Sequence, residues 1–183
     1  NPGFETGEIE GWQIVLAGDH EGVIEVTDRA HSGDYAARIY APSDRSWSVV
    51  RRQNFDVEVG ETLIATAWVR ASTNRAKMVL TGGFLWGGSP SGHQNVQSRH
   101  SGSGEWELLR TELTLEQLPV SLAIGFDYNS AGSTVLVDDV RLAREADVLA
   151  EDAALCANEL IRILDREDLP EWIRAGLRAR TEG

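Results

Sequence analysis

The segment that decides the fold reads VLVDDVRL and runs from Val135 to Leu142. It is an apolar run of the length of a buried β-strand, with two adjacent carboxylates at its centre. Burying two adjacent carboxylates is costly unless a cation lies beside them. The sequence begins NPGFE, from Asn1 to Glu5, and so supplies a glycine turn with a carboxylate of its own. We therefore expect both ends of one β-sheet domain to meet around a bound cation.

The composition limits the classes of partner. The 183 residues include 42% hydrophobic side chains, enough to form a core, and carry a formal net charge of −12. Clustered lysine and arginine drive nucleic-acid binding, so this charge argues against nucleic acid. It also argues against anionic membranes and polyanionic sugars as default partners. No apolar run approaches the roughly 20 residues of a membrane-spanning helix. The single cysteine, Cys156, excludes an internal disulfide, and its apolar neighbours predict a buried thiol.

The chain changes character near residue 143. Residues 1–143 are rich in glycine, threonine, valine and aromatic residues with frequent turn signals, which predicts an antiparallel sandwich. Residues 144–183 are rich in alanine, leucine, glutamate and arginine, which predicts helix. The predicted strands are Trp12–Leu16, Val23–Thr27, Ala36–Tyr40, Trp47–Phe55, Thr62–Ala71, Ala76–Trp86, Gln94–Ser98, Trp106–Leu115, Val120–Tyr128 and Thr134–Leu142. Between them, the glycine-rich residues 87–92 predict a loop that forms a lip over a binding face.

Two stretches have a clear periodicity. From residue 120 to 127, apolar side chains alternate with small or polar ones, which predicts a strand with one buried face. The predicted inner set is Val120, Leu122, Ile124 and Phe126, and the predicted outer set is Ser121, Ala123, Gly125 and Asp127. An apolar stripe from Leu149 to Leu164 predicts a helix. Pro170 is suited to the first turn of a second helix, so the end of the chain is predicted to form a helical hairpin.

Five segments, taken in order, resemble one group of proteins. They are NPGFETGEIEGW (1–12), HSGDYAARI (31–39), QNFDVEVGETLIATAWVRA (53–71), GEWELLRTELTL (104–115) and VDDVRL (137–142). Together they resemble the jelly-roll carbohydrate-binding modules of families 4, 9, 16 and 22, within the galactose-binding-like group. The resemblance implies a jelly-roll β-sandwich over residues 1–143. Residues 144–183 would then form a helical extension that leads towards a further domain.

The resemblance also implies a structural calcium ion where the first segment, an early turn and the last strand converge. By position, the carbonyls of Gly3 and Gly33 and the carboxylate and carbonyl of Asp139 would bind it. Glu5 would supply a further carboxylate. Calcium prefers oxygen ligands of this kind, and the ion would tie the first strand to the last.

Two alternatives apply to the paired aspartates. Without a metal, Asp138 and Asp139 would cap a turn or pair with Arg29 or Arg38. Catalysis by the pair is not expected, because neighbouring residues of a regular strand point to opposite faces and cannot flank one scissile bond. The sequence has no nucleophile motif, phosphate loop or Cys/His cluster either, so we expect no enzymatic activity from this chain.

A sugar-binding face needs an aromatic platform flanked by planar hydrogen-bonding groups. Of the six tryptophans, four are predicted to belong to the core or the helices, which leaves Trp47 and Trp86 as candidate platforms. Strand alternation leaves a buried and an exposed position equally open for both. The candidate carbohydrate-binding residues are Trp47, Arg51, Trp86, His93, Gln94, Asp127 and Tyr128.

The sequence therefore predicts a non-catalytic module that binds a polysaccharide or oligosaccharide and is attached to a glycoside hydrolase or lyase. Such a module works outside the cell or in the periplasm, so we expect a leader or further domain upstream of Asn1. Adjacent domains of the same chain are its expected protein partners. The alternative is an accessory jelly-roll domain that packs on its neighbour and binds no sugar, which the long helices favour.

Overall fold

A computed structural model describes residues 3–16, 22–40, 47–53, 55–86, 89–128, 134–164 and 170. The chain divides into two compact units, Asn1–Arg144 and Glu145–Gly183. The described strands are β1 (Trp12–Leu16), β2 (Val23–Thr27), β3 (Ala36–Tyr40), β4 (Trp47–Gln53), β5 (Thr62–Ala71), β6 (Lys77–Trp86), β7 (Ser89–Arg99), β8 (Trp106–Thr114), β9 (Ser121–Tyr128) and β10 (Thr134–Arg144). The described helix, α1, spans Glu145–Leu164.

The strands form two five-stranded sheets. The first sheet has the order β1-β4-β9-β6-β7 and the second has the order β2-β3-β10-β5-β8. Every strand pair is antiparallel, so the first unit is a β-sandwich of the jelly-roll type. The fold class predicted from the sequence is confirmed. β10 lies at the centre of the second sheet, between β3 and β5.

The core lies between the two sheets and is built by strand alternation. In β9, Leu122, Ile124 and Phe126 are buried, which confirms the predicted inner face. Val120 is 56% exposed, so its predicted place in the core is wrong, because it precedes the strand at the margin of the sheet. Facing these residues, β5 contributes small side chains such as Ala65 and Ala67, which let the two sheets approach closely.

Of the predicted loop at residues 87–92, residues 89–92 belong to β7, and residues 87 and 88 lie outside the described residues. Trp86 of β6 pairs with Ser89 of β7, and Leu85 pairs with Pro90. For residues 89–92 the prediction was wrong, because glycine and proline were taken as residues that interrupt a strand. β7 is an edge strand of the first sheet, and an edge strand tolerates a residue without an N–H group.

In the second unit, the predicted helix forms, but its apolar stripe is not buried. Leu149 and Ala153 of the stripe are exposed, Leu160 and Ile163 are half-buried, and Cys156 is exposed where a buried thiol was predicted. The periodicity predicted the helix correctly, but it carries no information on the surface that covers the stripe. The second helix of the predicted hairpin lies outside the described residues. Within the part of the chain that is described, no helix is both long and apolar enough to cross a membrane.

Candidate functional site

The first segment of the chain is anchored in the sandwich by aromatic packing. Phe4 is 1% exposed and packs on Trp12 with ring centroids 5.9 Å apart, and Trp12 packs on Phe126 at 5.7 Å. Phe4 has a φ of 59°, a left-handed conformation that is unfavourable for a side chain with a Cβ atom. Burial of its ring in the core holds this conformation and fixes the neighbouring residues Gly3 and Glu5.

Gly3 and Glu5 meet the turn before β3 and the middle of β10. We call this set the junction cluster; it consists of Gly3, Glu5, His31, Ser32, Gly33, Asp138 and Asp139. A Cβ atom added at Gly3 would lie 3.3 Å from Asp139 Oδ1 and 3.6 Å from Asp138 Oδ1. The structure thus brings together all four residues that the resemblance implied as calcium ligands.

Both aspartates reach the same turn, contrary to the expectation that they point to opposite faces. Asp138 Oδ2 accepts hydrogen bonds from the N–H groups of His31 at 2.8 Å and Ser32 at 3.1 Å. Asp139 accepts from the Ser32 hydroxyl at 2.9 Å and contacts His31 Nδ1 at 3.1 Å. The cause is an irregularity in β10, where the register shifts between Asp138 and Arg141 and Asp139 has a φ of 48°.

Backbone N–H groups compensate for the buried charge of Asp138. Its side chain is fully buried, and this burial raises its pKa, while hydrogen bonds from Ser32, His31 and Asp139 act in the opposite direction. The His31 ring covers the site and stacks on Trp68, with ring centroids 3.8 Å apart. The junction cluster therefore contains a desolvated carboxylate beside a second, partly exposed one.

Glu5 closes the cluster from the outside. Its carboxylate accepts hydrogen bonds from Asp34 N at 2.9 Å and Tyr35 N at 3.4 Å. Gly33, with a φ of 64°, leaves room for it, since a Cβ atom there would lie 2.5 Å from both Glu5 oxygens. Of the two alternatives stated for the aspartates, the capping of a turn is observed, since Asp138 accepts from the N–H groups of His31 and Ser32, and the pairing with arginine is wrong. Within the described ranges neither contacts an arginine, because Arg38 pairs with Glu25 instead.

The donor set of the junction cluster suits a hard cation. Carboxylate and carbonyl oxygens are the ligands that calcium prefers. Among the residues that the structure describes, no three carboxylate, imidazole or thiol side chains are grouped so that they alone could hold a metal ion. A calcium ion would therefore need backbone carbonyls, such as those of Gly3 and Gly33, in addition to the carboxylates.

The outer face of the first sheet carries an open groove of about 490 Å³. We call it the first-sheet groove; it is lined by Val50, Arg52, Val79, Thr81, Gly83, His93, Asn95, Ser121, Ala123, Gly125 and Asp127. These residues belong to β4, β9, β6 and β7, which are consecutive in the sheet. Volumes of this size are typical of small-ligand sites.

Small residues of β9 form the floor of the groove. The register places Ala123 between Arg52 and Thr81, and places Gly125 between Val50 and Val79. A Cβ atom at Gly125 would lie 2.9 Å from a methyl carbon of Val50. The Val50 side chain therefore lies against Gly125, and the small side chain of Ala123, between Arg52 and Thr81, leaves the groove open at the centre of β9.

Planar and polar groups line the groove on both sides of this floor. Arg52 rises from β4, and His93 and Asn95 rise from β7, all three exposed. Asp127, at one end of β9, forms a salt bridge with Lys77, with 3.2 Å between Oδ2 and Nζ. Guanidinium, imidazole, amide and carboxylate groups bind hydroxyl-rich ligands through paired hydrogen bonds.

Among the predicted carbohydrate-binding residues, His93 and Asp127 line the groove. Gln94 does not line the groove, because its side chain points to the other face of β7. There its Nε2 donates a hydrogen bond to Thr114 O, and its Oε1 accepts one from Glu116 N. Arg51 is not part of the lining either. It alternates with Arg52, and its Nε lies 3.4 Å from a Cβ atom placed on Gly11.

The three aromatic candidates belong to the strands that build the groove. Trp47 of β4 and Tyr128 of β9 are opposite each other in the register, and Trp86 ends β6. Their side chains lie outside the described residues. Four other lining residues were not predicted from the sequence: Arg52, Thr81, Asn95 and Ser121. The alternation of β9 was the available signal, since its outer set is the groove floor.

The sequence matches no protein-family model and no curated protein. It is similar in structure to TmCBM61 in complex with β-1,4-galactotriose, with 24% identity, a TM-score of 0.51 and coverage of 79% of this chain and 96% of that chain. It is also similar to the CBM22-1 xylan-binding domain of Paenibacillus barcinonensis Xyn10C, with 18% identity, a TM-score of 0.59 and coverage of 78% and 90%.

A third similar structure is the enzymatically active domain of bacteriophage CBA120 tailspike protein 4, with 9% identity and a TM-score of 0.65. The match covers 79% of this chain, which spans only about a fifth of that structure (21%). The two binding modules, by contrast, are matched along most of their length. The chain therefore has the fold of the galactose-binding-like, jelly-roll carbohydrate-binding modules.

Proposed function

We propose that this chain is a non-catalytic carbohydrate-binding module and that a polysaccharide lies in the first-sheet groove. The observation that supports this most strongly is an open groove lined by planar polar groups, on a sheet of a carbohydrate-binding-module fold. Two similar structures are a module in complex with β-1,4-galactotriose and a xylan-binding domain. An accessory domain that only packs on a neighbour would not need such an opening.

The lining suggests how a sugar chain is held. The floor at Ala123 admits a sugar ring close to the sheet, beside the Val50 side chain that lies against Gly125. Arg52 on one side and His93 and Asn95 on the other then reach the equatorial hydroxyls. Each such hydrogen bond contributes only about 1 kcal/mol in water-exposed sites, so a micromolar to millimolar dissociation constant, about 4 to 8 kcal/mol, is expected.

Stacking is the second part of the proposal. Trp47, Trp86 and Tyr128 belong to β4, β6 and β9, the strands whose other residues line the groove. In this account, Trp86 packs against the C–H face of a sugar, since it follows the register shift between Gly83 and Leu85 and the alternation of β6 does not fix its side. Positions 47 and 128 have the parity of the buried Val49 and Phe126, so stacking by Trp47 or Tyr128 requires a local irregularity at these strand ends. Aromatic rings carry much of the binding energy in such sites because they bury large apolar areas.

We also propose a structural calcium ion in the junction cluster. Gly3 and Gly33 would offer carbonyl oxygens, and Asp139 and Glu5 would offer carboxylates. The convergence of Asp138 Oδ1 and Asp139 Oδ1 at Gly3 supports this proposal, since a cation there would reduce the repulsion between the two carboxylates further than the N–H groups alone. The ion would supply charge compensation that links β10 to the first segment of the chain.

In this account the module belongs to a larger, secreted carbohydrate-active protein and brings its partner domains to polysaccharide outside the cell or in the periplasm. A similar solved structure gives an example of such an arrangement: in Clostridium thermocellum Xyn10B, a CBM22-1 module is joined to a GH10 module. Adjacent domains of the same chain are therefore the proposed protein partners.

A glycan panel tests the proposal. Intrinsic tryptophan fluorescence of the full chain is recorded against soluble xylan, β-1,4-galactan and β-glucans, for the wild type and for Arg52→Ala and Asn95→Ala. We expect a saturable signal with at least one neutral glycan, weakened about tenfold by each variant, which is a loss of about 1.4 kcal/mol. Gln97→Ala, on the same face of β7 but outside the lining, is the control. Equal binding by all four proteins would place the site elsewhere, and no response to any glycan would favour the accessory domain.

A further inference from the structure

The second sheet carries a groove of its own, on its outer face and away from the proposed sugar site. It measures about 580 Å³ and is lined by residues of β2, β3, β10 and β5 together with the turn at Gly104. We call it the arginine groove, because Arg29, Arg38 and Arg70 all contribute to its lining. Glu25 is its one carboxylate among the lining residues.

This local charge opposes that of the whole chain. The chain has a net charge of −12, yet three guanidinium groups face one carboxylate in the groove. Glu25 is already paired with Arg38, whose guanidinium also lies over the Tyr40 ring at 5.5 Å from its centroid. In the described part of the chain, Arg29 and Arg70 form no ion pair. Two cationic groups are therefore available to an anion.

The arginines are held in position for such a ligand. Arg70 Nε donates to Gly104 O at 2.6 Å, which orients its guanidinium group and leaves the two terminal nitrogens for other partners. The strand register places Arg38 and Arg70 on either side of Leu136, in one row across β3, β10 and β5. Two strand spacings separate them, about 10 Å between backbones. A guanidinium group binds a carboxylate or a sulfate with two parallel hydrogen bonds.

The rest of the lining suits a saccharide. Leu136, which is 6% exposed, lies at the base of the row, and Thr27, Ser72 and Thr134 add hydroxyl groups that can bond to sugar hydroxyls. The open volume is sufficient for a short oligosaccharide. An acidic protein segment would use the same arginines, so a poly-glutamate peptide is the competing ligand in the test.

We infer that the arginine groove is a second binding site, which takes oligosaccharides bearing carboxylate or sulfate groups. Its ligand class rests on the proposed carbohydrate-binding function, but the site is separate from the first-sheet groove. The net charge argues only against polyanions bound along the whole surface. At physiological salt the Debye length is about 8 Å, so acidic residues elsewhere are largely screened from the groove.

Calorimetric titration of the full chain tests this inference. The ligands are a trigalacturonate, its methyl ester, a sulfated trisaccharide and a poly-glutamate peptide. We expect the acidic sugars to bind about tenfold or more tighter than the neutral ester, as removal of one charge-assisted pair predicts. Comparison of the trigalacturonate and sulfated-trisaccharide titrations then identifies whether a carboxylate or a sulfate is preferred. Equal binding of acid and ester, or tighter binding of poly-glutamate, would overturn the inference.

Variants identify the site. Arg29→Gln combined with Arg70→Gln should weaken acidic-sugar binding by about tenfold or more, with Arg110→Gln, an exposed arginine of β8 in the same sheet, as the control. Glu25→Gln should strengthen it several-fold, because Arg38 is released. This gain keeps the test decisive if the double variant is unstable. Unchanged affinity in both variants would contradict the site.

Asn95→Ala separates this inference from the proposed function. This variant changes the first-sheet groove only, so it should weaken neutral glycans and leave trigalacturonate binding unchanged. Binding of neutral glycans without any acidic-sugar binding would overturn the arginine groove alone. Acidic-sugar binding that is lost in Asn95→Ala would show that a single groove serves both ligands and would also overturn it.

Discussion

Single carboxylates fix the loops of this sandwich by accepting several hydrogen bonds each. Glu107 accepts from the Ser101 hydroxyl and N–H and from the Ser103 hydroxyl. The serine hydrogen bonds lower its pKa from 4.5 to about 2. The same turn buries His100, whose Nδ1 accepts from Gly102 N at 2.8 Å, so that its proton resides on Nε2 and points to Glu105 O. The turn is thus held by hydrogen bonds to one carboxylate and one imidazole.

The depressed pKa of Glu107 has a consequence for acid stability. Because the pKa is lower in the folded state than in the unfolded state, ionised Glu107 stabilises the fold above about pH 4.5, and this contribution is lost as the pH falls towards 2. Glu107→Gln should cost about 2 kcal/mol at pH 7 and almost nothing near pH 2. Melting curves across this range check it, with Glu112→Gln, an exposed carboxylate of the same strand, as the control. A cost that does not depend on pH would contradict this role.

Gly33 permits the contact between Glu5 and the turn before β3. Gly33→Ala would force the Glu5 carboxylate away from Asp34 N and Tyr35 N, since its Cβ atom would lie 2.5 Å from the Glu5 oxygens. Gly60 has a similar left-handed backbone, with a φ of 89°, but nothing within 4 Å of its Cβ position. Both alanine variants should lose about 1 kcal/mol from backbone strain, and Gly33→Ala about 1 kcal/mol more. Equal losses in denaturant titrations would mean that the Glu5 contact contributes nothing.

At the scale of the strand, adjacent residues of β7 have different roles: one faces the groove, and the next contributes to stability. His93 faces the groove, whereas Gln94 faces the other way and bridges to Thr114 O and Glu116 N. His93→Ala should weaken glycan binding several-fold with little change in melting temperature. Gln94→Ala should lower stability by about 1 to 2 kcal/mol without changing glycan affinity measured at a temperature where the protein is folded. The reverse pattern would mean that the face assignment of β7 is wrong.

The elements also show what the sequence could predict. Alternation located β9 and its two faces, and the apolar VLV run located β10, because burial on one or both faces leaves a direct pattern in sequence. The irregularity at Asp139 leaves no such pattern, so the shared direction of the two aspartates could not be foreseen. The sequence also did not show that Arg52 rather than Arg51 faces the groove, because only the observed burial of Val49 fixes which face of β4 points outward.

At the scale of the molecule, the junction cluster links the first segment of the sandwich unit to its last strand in sequence, β10. If calcium binds there, its removal frees the first segment from β10, and the melting temperature should fall by several degrees, corresponding to about 1 kcal/mol or more. Differential scanning fluorimetry of a calcium-loaded sample with and without EDTA measures this shift. Asp139→Asn should abolish the response to calcium while keeping a residue that tolerates the left-handed backbone. An unchanged melt of a verified calcium-loaded sample would exclude the ion.

The two sheets divide the surface into faces of different chemistry. The first sheet offers mixed planar groups over a floor of small residues, and the second offers a row with arginines on either side of a leucine. Both grooves arise from the outer faces of strands whose inner faces form the common core. The stability of the sandwich and the chemistry of its surfaces can therefore vary independently, so the fold alone does not define the ligand.

The most direct test of the account is to map the neutral-glycan site by ¹⁵N-edited NMR titration of the full chain. The account predicts that the amides that shift most belong to the consecutive strands β4, β9, β6 and β7, near Arg52, Ala123, Thr81 and Asn95. Shifts confined to β2, β3, β10 and β5, or to the loops at one end of the sandwich, would contradict the proposal that the first-sheet groove binds the sugar chain.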